Sequence, residues 1–184
     1  MATLKQAFTT LFLSTTLAAG AAQPAVAASC SVPAGRTVAT GRLAVLVSVP
    51  TPDGAALFAC IRRSGRKIAL DDGFDDAHLT GRWVAWQRRP RSGRWRIVVH
   101  DLRTGKERLV IGRVAAHSLV LTARGSIAWA NHLDGSTDTP LYANELETGG
   151  RLLDNGAVDA SSVDIAGRRV LWVSGGVERS AVLR

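Results

Sequence analysis

The stretch "HLTGRWVAWQRRPRSGRWRIVVHDLRTGKERLV", residues 78–110, decides the fold. It holds two runs rich in Val, Ile and Trp, "WVAWQ" and "RIVVHD", and a third, "KERLV", that ends in Leu-Val. Such residues favour strands, and the runs are separated by "RPRSGR" and "LRTGK", whose glycines suit tight turns. No amphipathic period of 3.6 residues runs through it, so the expectation is antiparallel strands joined by hairpins. His100 beside Asp101 offers the elements of an acid–base pair. Neighbours in a strand point to opposite faces, however, and Thr104-Gly105 follows as a turn. The pair reads as part of a hairpin, and no catalytic residue is expected.

The same pattern recurs along the chain. "TGRLAVLV" from Thr40, "TGRWVAWQ" from Thr80, "ARGSIAWA" from Ala123 and "AGRRVLWV" from Ala166 align on Leu46, Trp86, Trp129 and Trp172, spaced by 40, 43 and 43 residues. A second register follows in "LFACIRRSGR", "IVVHDLRTGK" and "LYANELETGG", where Cys60, His100 and Asn144 are equivalent. Units of 40–45 residues with four short strands each are the pattern of propeller blades. The segments "HLTGRWVAWQ…RIVVHDLRTGKERLV" and "LTARGSIAWA…LYANELETGGRLL" resemble blades of the TolB-like and WD-type β-propellers. The family's Ser-Pro-Asp-Gly does not precede any of these "AW" strands, and the Pro-Asp-Gly at 52–54 follows one. The resemblance therefore implies architecture and transfers no functional residue. The expected fold is all-β, a small propeller-like array of about four four-stranded blades, with repeats near 36–75, 76–115, 116–157 and 158–184. The fourth unit lacks its last strand. A closed four-blade ring completed by residues 28–35 is the first expectation, and closure by dimerisation the second, so the chain is expected as a monomer or homodimer.

Residues 1–27 read as a signal peptide, with Lys5, an apolar stretch at 7–20 and Ala25-Val26-Ala27 as cleavage site. The remaining residues, 28–184, suffice for one core-bearing domain, expected outside the cytoplasm as a secreted or envelope-associated protein. No stretch reaches the ~20 apolar residues of a membrane span. Lys and Arg number 23 against 15 Asp and Glu, for a net charge of +8. That balance favours anionic partners, here an envelope polymer or phospholipid surface rather than nucleic acid, beside an unidentified protein partner. Cys30 and Cys60 form an even pair, which in an exported protein suggests a disulfide. The rival reading, a lipidated Cys30 in "AASC", places the cysteine about ten residues beyond the apolar stretch.

Candidate sites are few. His78, His100, His117 and His132 lack zinc spacing, "DDGFDD" (71–76) reads as an inter-blade loop, and "DGSTD" (134–138) lacks the glycine a calcium loop needs. No metal or other cofactor is expected. The distinctive feature is the hairpin 87–96, where Arg88, Arg89, Arg91 and Arg94 surround Trp95. Arginine forks suit phosphate and carboxylate oxygens and Trp offers a stacking face, so these five are the candidate anion-binding residues. The expected function is a non-catalytic exported binding or scaffold module. The alternative, a hydrolase or lyase acting on an extracellular anionic substrate, would need acids or metal ligands converging at the ring axis. The cysteine reading predicts that mass spectrometry of alkylated protein shows two modified thiols only after reduction. Two alkylated thiols without reductant, or a lipid on Cys30, would refute it.

Overall fold

The computed structural model describes residues 30, 32–52, 54–88, 95–112, 114, 116–131 and 138–184, with His117 described by its backbone alone. The signal-peptide segment 1–27 lies outside the described residues. Among the described residues fifteen strands and no helix make up four antiparallel sheets. Sheet 1 holds β1 (Arg36–Thr40), β2 (Ala44–Thr51), β3 (Gly54–Ile61) and β4 (Lys67–Asp71) in that order. Sheet 2 runs β5 (Phe74–Thr80), β6 (Trp83–Arg88), β7 (Arg96–Asp101) and β8 (Lys106–Gly112). Sheet 3 runs β9 (Ala116–Leu121), β10 (Ile127–Asn131), β11 (Leu141–Glu145) and β12 (Gly149–Asp154). Sheet 4 has only β13 (Val158–Ala166), β14 (Arg169–Ser174) and β15 (Val177–Val182). Each sheet is a meander, as the hairpin turns require, and the architecture is propeller-like.

The sheets are joined face to face by three apolar clusters. Leu46, Leu57 and Ala59 of sheet 1 meet Val84, Trp86 and Val98 of sheet 2. Ala85, Ile97 and Val99 of sheet 2 meet Ile127 and Trp129 of sheet 3. Ala128, Ala130, Leu141 and Ala143 of sheet 3 meet Val158, Val170 and Trp172 of sheet 4. Each Trp shares its cluster with alanine of the preceding sheet, large side chains beside small ones, which lets two pleated faces come close. Along the inner rim β1 packs on β5, β5 on β9 and β9 on β13. Among the described residues no apolar cluster joins sheet 4 back to sheet 1, and β1 is exposed at four of its five positions. The array is an open arc, not the closed four-blade ring that the repeat suggested.

The arc also corrects two details of the repeat. Leu46 faces sheet 2, as Ala85 faces sheet 3, whereas the tryptophans face backwards. The residue equivalent to them is Val47: it pairs with Phe58 as Trp86 pairs with Val98 and Trp129 with Tyr142. A one-residue slip turns a strand's side chains to the other face, and the alignment on Leu46 made that slip. Residues 30 and 32–35 add no strand to sheet 4. They lie at the other end of the arc, where Cys30 and Cys60 form a disulfide with Cα atoms 5.6 Å apart. Gly35 sits so close to Val47 that a Cβ there would fall 2.5 Å from Val47 Cγ1. Val47 and Cys60 are accordingly buried. The leading segment thus covers the backward face of sheet 1, which has no preceding sheet.

Two of the three junctions carry a polar staple. Trp86 Nε1 donates to Asp71 Oδ2 at 2.7 Å, and Asp71 is the last residue of β4 in the preceding sheet. Trp172 Nε1 donates to Asp154 Oδ2 at 2.8 Å, and Asp154 ends β12. At the middle junction β8 ends in Ile111 and Gly112, without a carboxylate, and Trp129 Nε1 has no hydrogen-bond partner; its ring stacks on Tyr142 with centroids 5.6 Å apart. Phe in place of Trp86 or Trp172 removes a donor from a buried carboxylate. Each should cost about 1–3 kcal/mol more than Trp129→Phe, where only an orphan N–H is lost. Urea denaturation of the three variants measures this, and equal losses would contradict the staple.

Asp154 also sets an acid limit. Burial alone would raise its pKa, but hydrogen bonds from Trp172, Gly156 and Ser174 and the nearby Arg179 outweigh it and hold the pKa below the usual value. A carboxylate depressed on folding stabilises fully above its unfolded pKa of about 4 and loses that contribution as pH falls through the folded value. The stability difference between wild type and Asp154→Asn should therefore be largest near neutrality and shrink steadily below about pH 4. A difference that stays constant down to pH 2 would show that ionisation of Asp154 plays no part.

Candidate functional site

The Arg/Trp hairpin is only partly described. Arg88, at the end of β6, lies 3.3 Å from Asp71 Oδ1 through Nε and 3.9 Å from Asp72 Oδ1 through Nη2, so its charge is balanced at the first junction. Trp95 is half-buried just before β7, and its carbonyl accepts from Val114 N at 3.2 Å. Arg89, Arg91 and Arg94 lie outside the described residues, as do Asp134 and Ser136 of "DGSTD". Asp71, from "DDGFDD", serves the Trp86 staple.

His100 and Asp101 do diverge. His100 shares the face of Val84 and Val98, its ring centroid 6.2 Å from that of Trp86. Burial lowers its pKa against the opposing pull of Glu107 and Asp101, and Nε2 has no partner. Asp101 faces the other way, accepts Arg103 N at 2.9 Å and stands 3.5 Å from Arg82 Nε. Its carbonyl accepts Gly105 N at 2.8 Å, and Gly105 has φ 69°. The equivalent Glu145 likewise accepts Thr148 Oγ1 at 2.8 Å. These acids hold hairpin turns.

Titratable groups do converge in one place that the sequence did not single out. A groove of about 460 Å³ between β5, β9 and β13 is lined by Asp76, His78, Ser118 and Asp164. His78 Nε2 and Asp76 Oδ2 are 2.9 Å apart. Ser118 Oγ is buried without a partner, so no hydrogen bond links it to His78. Among the described residues no three side chains are grouped to hold a metal ion.

The strongest charge feature lies at one end of the arc. In a four-strand meander the first and third turns fall at the same end, here at 41–43, 62–66, 81–82, 102–105, 122–126, 146–148 and 167–168. These seven segments carry eight arginines (42, 62, 63, 66, 82, 103, 124 and 168) and one acid, Glu147. In the sequence, the segments that link strands at the opposite end hold Arg89, Arg91, Arg94 and Arg113 against Asp53, Asp72, Asp134 and Asp138, a balanced set. The turns also converge: Leu43 of sheet 1, Arg82 of sheet 2, Arg124 of sheet 3 and Arg184, which follows β15 of sheet 4, line one cleft. Such a surface focuses a positive field on whatever approaches that end. The signal was present in the sequence, because Arg42, Arg82, Arg124 and Arg168 recur in the first turn of every repeat. It is visible only when the repeats are stacked.

No family model matches the chain, and no curated protein does. Among solved structures it is similar to the uncharacterised protein lmo1340 from Listeria monocytogenes EGD-e, with TM-score 0.54 and 8% identity over 81% of this chain and 54% of that one. It thus spans about half the length of that relative. The tricorn protease gives TM-score 0.48 and 17% identity over 73% of this chain and 14% of that one. TolB from Acinetobacter baumannii gives 0.43 and 17% over 72% and 38%. At these identities the likeness concerns fold alone. The chain is a propeller-like all-β protein, and its chemistry has to be argued from its own residues.

Proposed function

We propose that this protein is an exported, non-catalytic binding or scaffold module that recognises an anionic component of the cell envelope through the arginine-bearing turn end of the arc. The observation that carries this reading is the imbalance of eight arginines to one acid in seven turns at one end. Export is supported by the Cys30–Cys60 disulfide and by the leader-like sequence of residues 1–27. Among the described residues no helix is long and apolar enough to cross a membrane. A rigid sheet frame presenting variable turns suits recognition, since the turns can carry the contacts while the frame fixes their spacing. The hairpin 87–96, with Arg88, Arg89, Arg91, Arg94 and Trp95, is the second surface proposed for the same class of partner, at the opposite end.

The test is co-sedimentation of the leaderless protein with phosphatidylglycerol vesicles and with an acidic polymer at low and high salt. Charge-driven binding should fall about tenfold or more between 50 and 300 mM NaCl. A turn-end variant with Arg42, Arg63, Arg103 and Arg168 changed to Ser should lose most of the binding. The Arg88/89/91/94→Ser variant, which removes the same nominal charge from the hairpin, reports on the second surface. Equal losses in both would assign binding to net charge alone, and undiminished binding in both would refute the reading.

A further inference from the structure

The cleft where the turns meet differs from the rest of the basic end. It encloses about 590 Å³, walled mainly by sheets 2 and 3 with Leu43 and Arg184 at its margins, and is lined by Arg82, Arg108, Arg124 and Arg184, with Glu147 as the acid among them. Arg82 is held in place: its guanidinium stacks 4.8 Å from the Trp83 ring centroid and lies 3.5 Å from Asp101. Among the described residues the guanidinium groups of Arg108, Arg124 and Arg184 find no hydrogen-bond or ion-pair partner. The wall that carries Arg124 is fixed by close packing. Gly125 has φ 86°, and a Cβ there would fall 2.7 Å from Trp83 Cδ2 and 2.9 Å from Leu146 Cδ1. The turn therefore presses onto the buried Trp83, and Ser126 Oγ donates to the Arg184 carbonyl at 2.9 Å, tying sheet 3 to the end of sheet 4.

Three uncompensated guanidiniums and one oriented one around a single concavity call for a ligand with more oxygens and more charge than a carboxylate offers. Each arginine fork can engage two oxygens, and a tetrahedral phosphoryl group offers up to four, bearing as much as two charges. We infer that this cleft binds a dianionic phosphate, either free or as a terminal monoester on an envelope lipid or polymer. The inference rests on the anionic reading proposed above and names the ligand class for one part of that surface.

The experiment follows amide shifts by NMR in the leaderless protein as sodium phosphate is added, with sodium acetate at matched ionic strength as control. Phosphate should produce saturable shifts confined to residues 123–126, 146–147 and the neighbourhood of Arg82, and acetate should bind at least tenfold more weakly. The variants Arg108→Ser and Arg124→Ser should each weaken phosphate at least fivefold, with Arg124→Lys partly restoring it, while amides remote from the cleft confirm an unchanged fold. Phosphatidic acid vesicles that compete with phosphate would identify a lipid phosphomonoester as a source. Phosphate binding without vesicle competition would point to a soluble or polymeric source. Non-saturable shifts, equal affinity for acetate, or insensitivity to both serine variants would overturn the site. If the cleft fails while wild-type protein still sediments with polyanion at low salt, only the cleft is lost. If the cleft binds phosphate but no polyanion is retained, the broader reading fails and the cleft stands.

Discussion

The structure depends on one repeated contact, an indole ring laid on the alanines of the sheet before it. Trp86 shares its cluster with Ala44 and Ala59, Trp129 with Ala85, and Trp172 with Ala128 and Ala130. A pleated sheet offers its neighbour alternate rows, and close approach demands that a bulky row meet a small one. β6 and β10 meet that demand with an indole on the backward face and alanine on the forward one, Trp83 being the bulky exception on the forward face of β6. Everything else is arranged around these contacts. The aspartates that end β4 and β12 bind the indole N–H of the next sheet, so the outer strand of one unit is fixed by the inner packing of the following one.

The period and the strand content were readable because both follow from local rules: Val, Ile and Trp in runs, Gly at turns, and identical spacing in two registers. The alignment of Leu46 with the tryptophans failed for an equally local reason. Thr40-Gly41-Arg42 repeats the letters of Thr80-Gly81-Arg82, but the first hairpin closes Thr40 on Val45, whereas the second closes Thr80 on Trp83. The structural equivalent of Thr80 is therefore Gly41, whose N–H bonds the Ala44 carbonyl, so the shared letters sit one residue early in the first repeat, and no Trp in sheet 1 marks the backward face. Ring closure was not readable at all, since it depends on the angle between successive sheets rather than on any single one.

The site followed a different logic. A cluster contiguous in sequence, such as residues 87–96, is easily noticed, and its Arg88 turned out to be tied to Asp71. The larger concentration of arginine is spread over seven turns, one to three residues at a time, and is assembled only by the meander. Trp83, just before that hairpin, is buried, with Gly125 lying directly on it. Linear density of charge was therefore a poor guide, and the position of each residue within its repeat a better one.

An array built by laying one unit on the next raises the question of what stops it. Growth by adding further copies would require a forward face of small residues at one end and an aromatic knob at the other. Neither is offered. Sheet 4 presents Asp164, Arg169, Leu171, Glu178 and Ser180 outward, a charged surface on which an indole has nowhere to lie flat. Sheet 1 puts Val47 where the knob would be and lays the disulfide-anchored segment across it. The free edge of β15 is broken up as well, by Glu178 and Arg179 and by Arg151 Nη2, which donates to the Val182 carbonyl at 2.8 Å. The disulfide thereby acquires a second role besides cross-linking. It holds in place the segment that covers Val47 and Cys60, so that the backward face of sheet 1 stays buried.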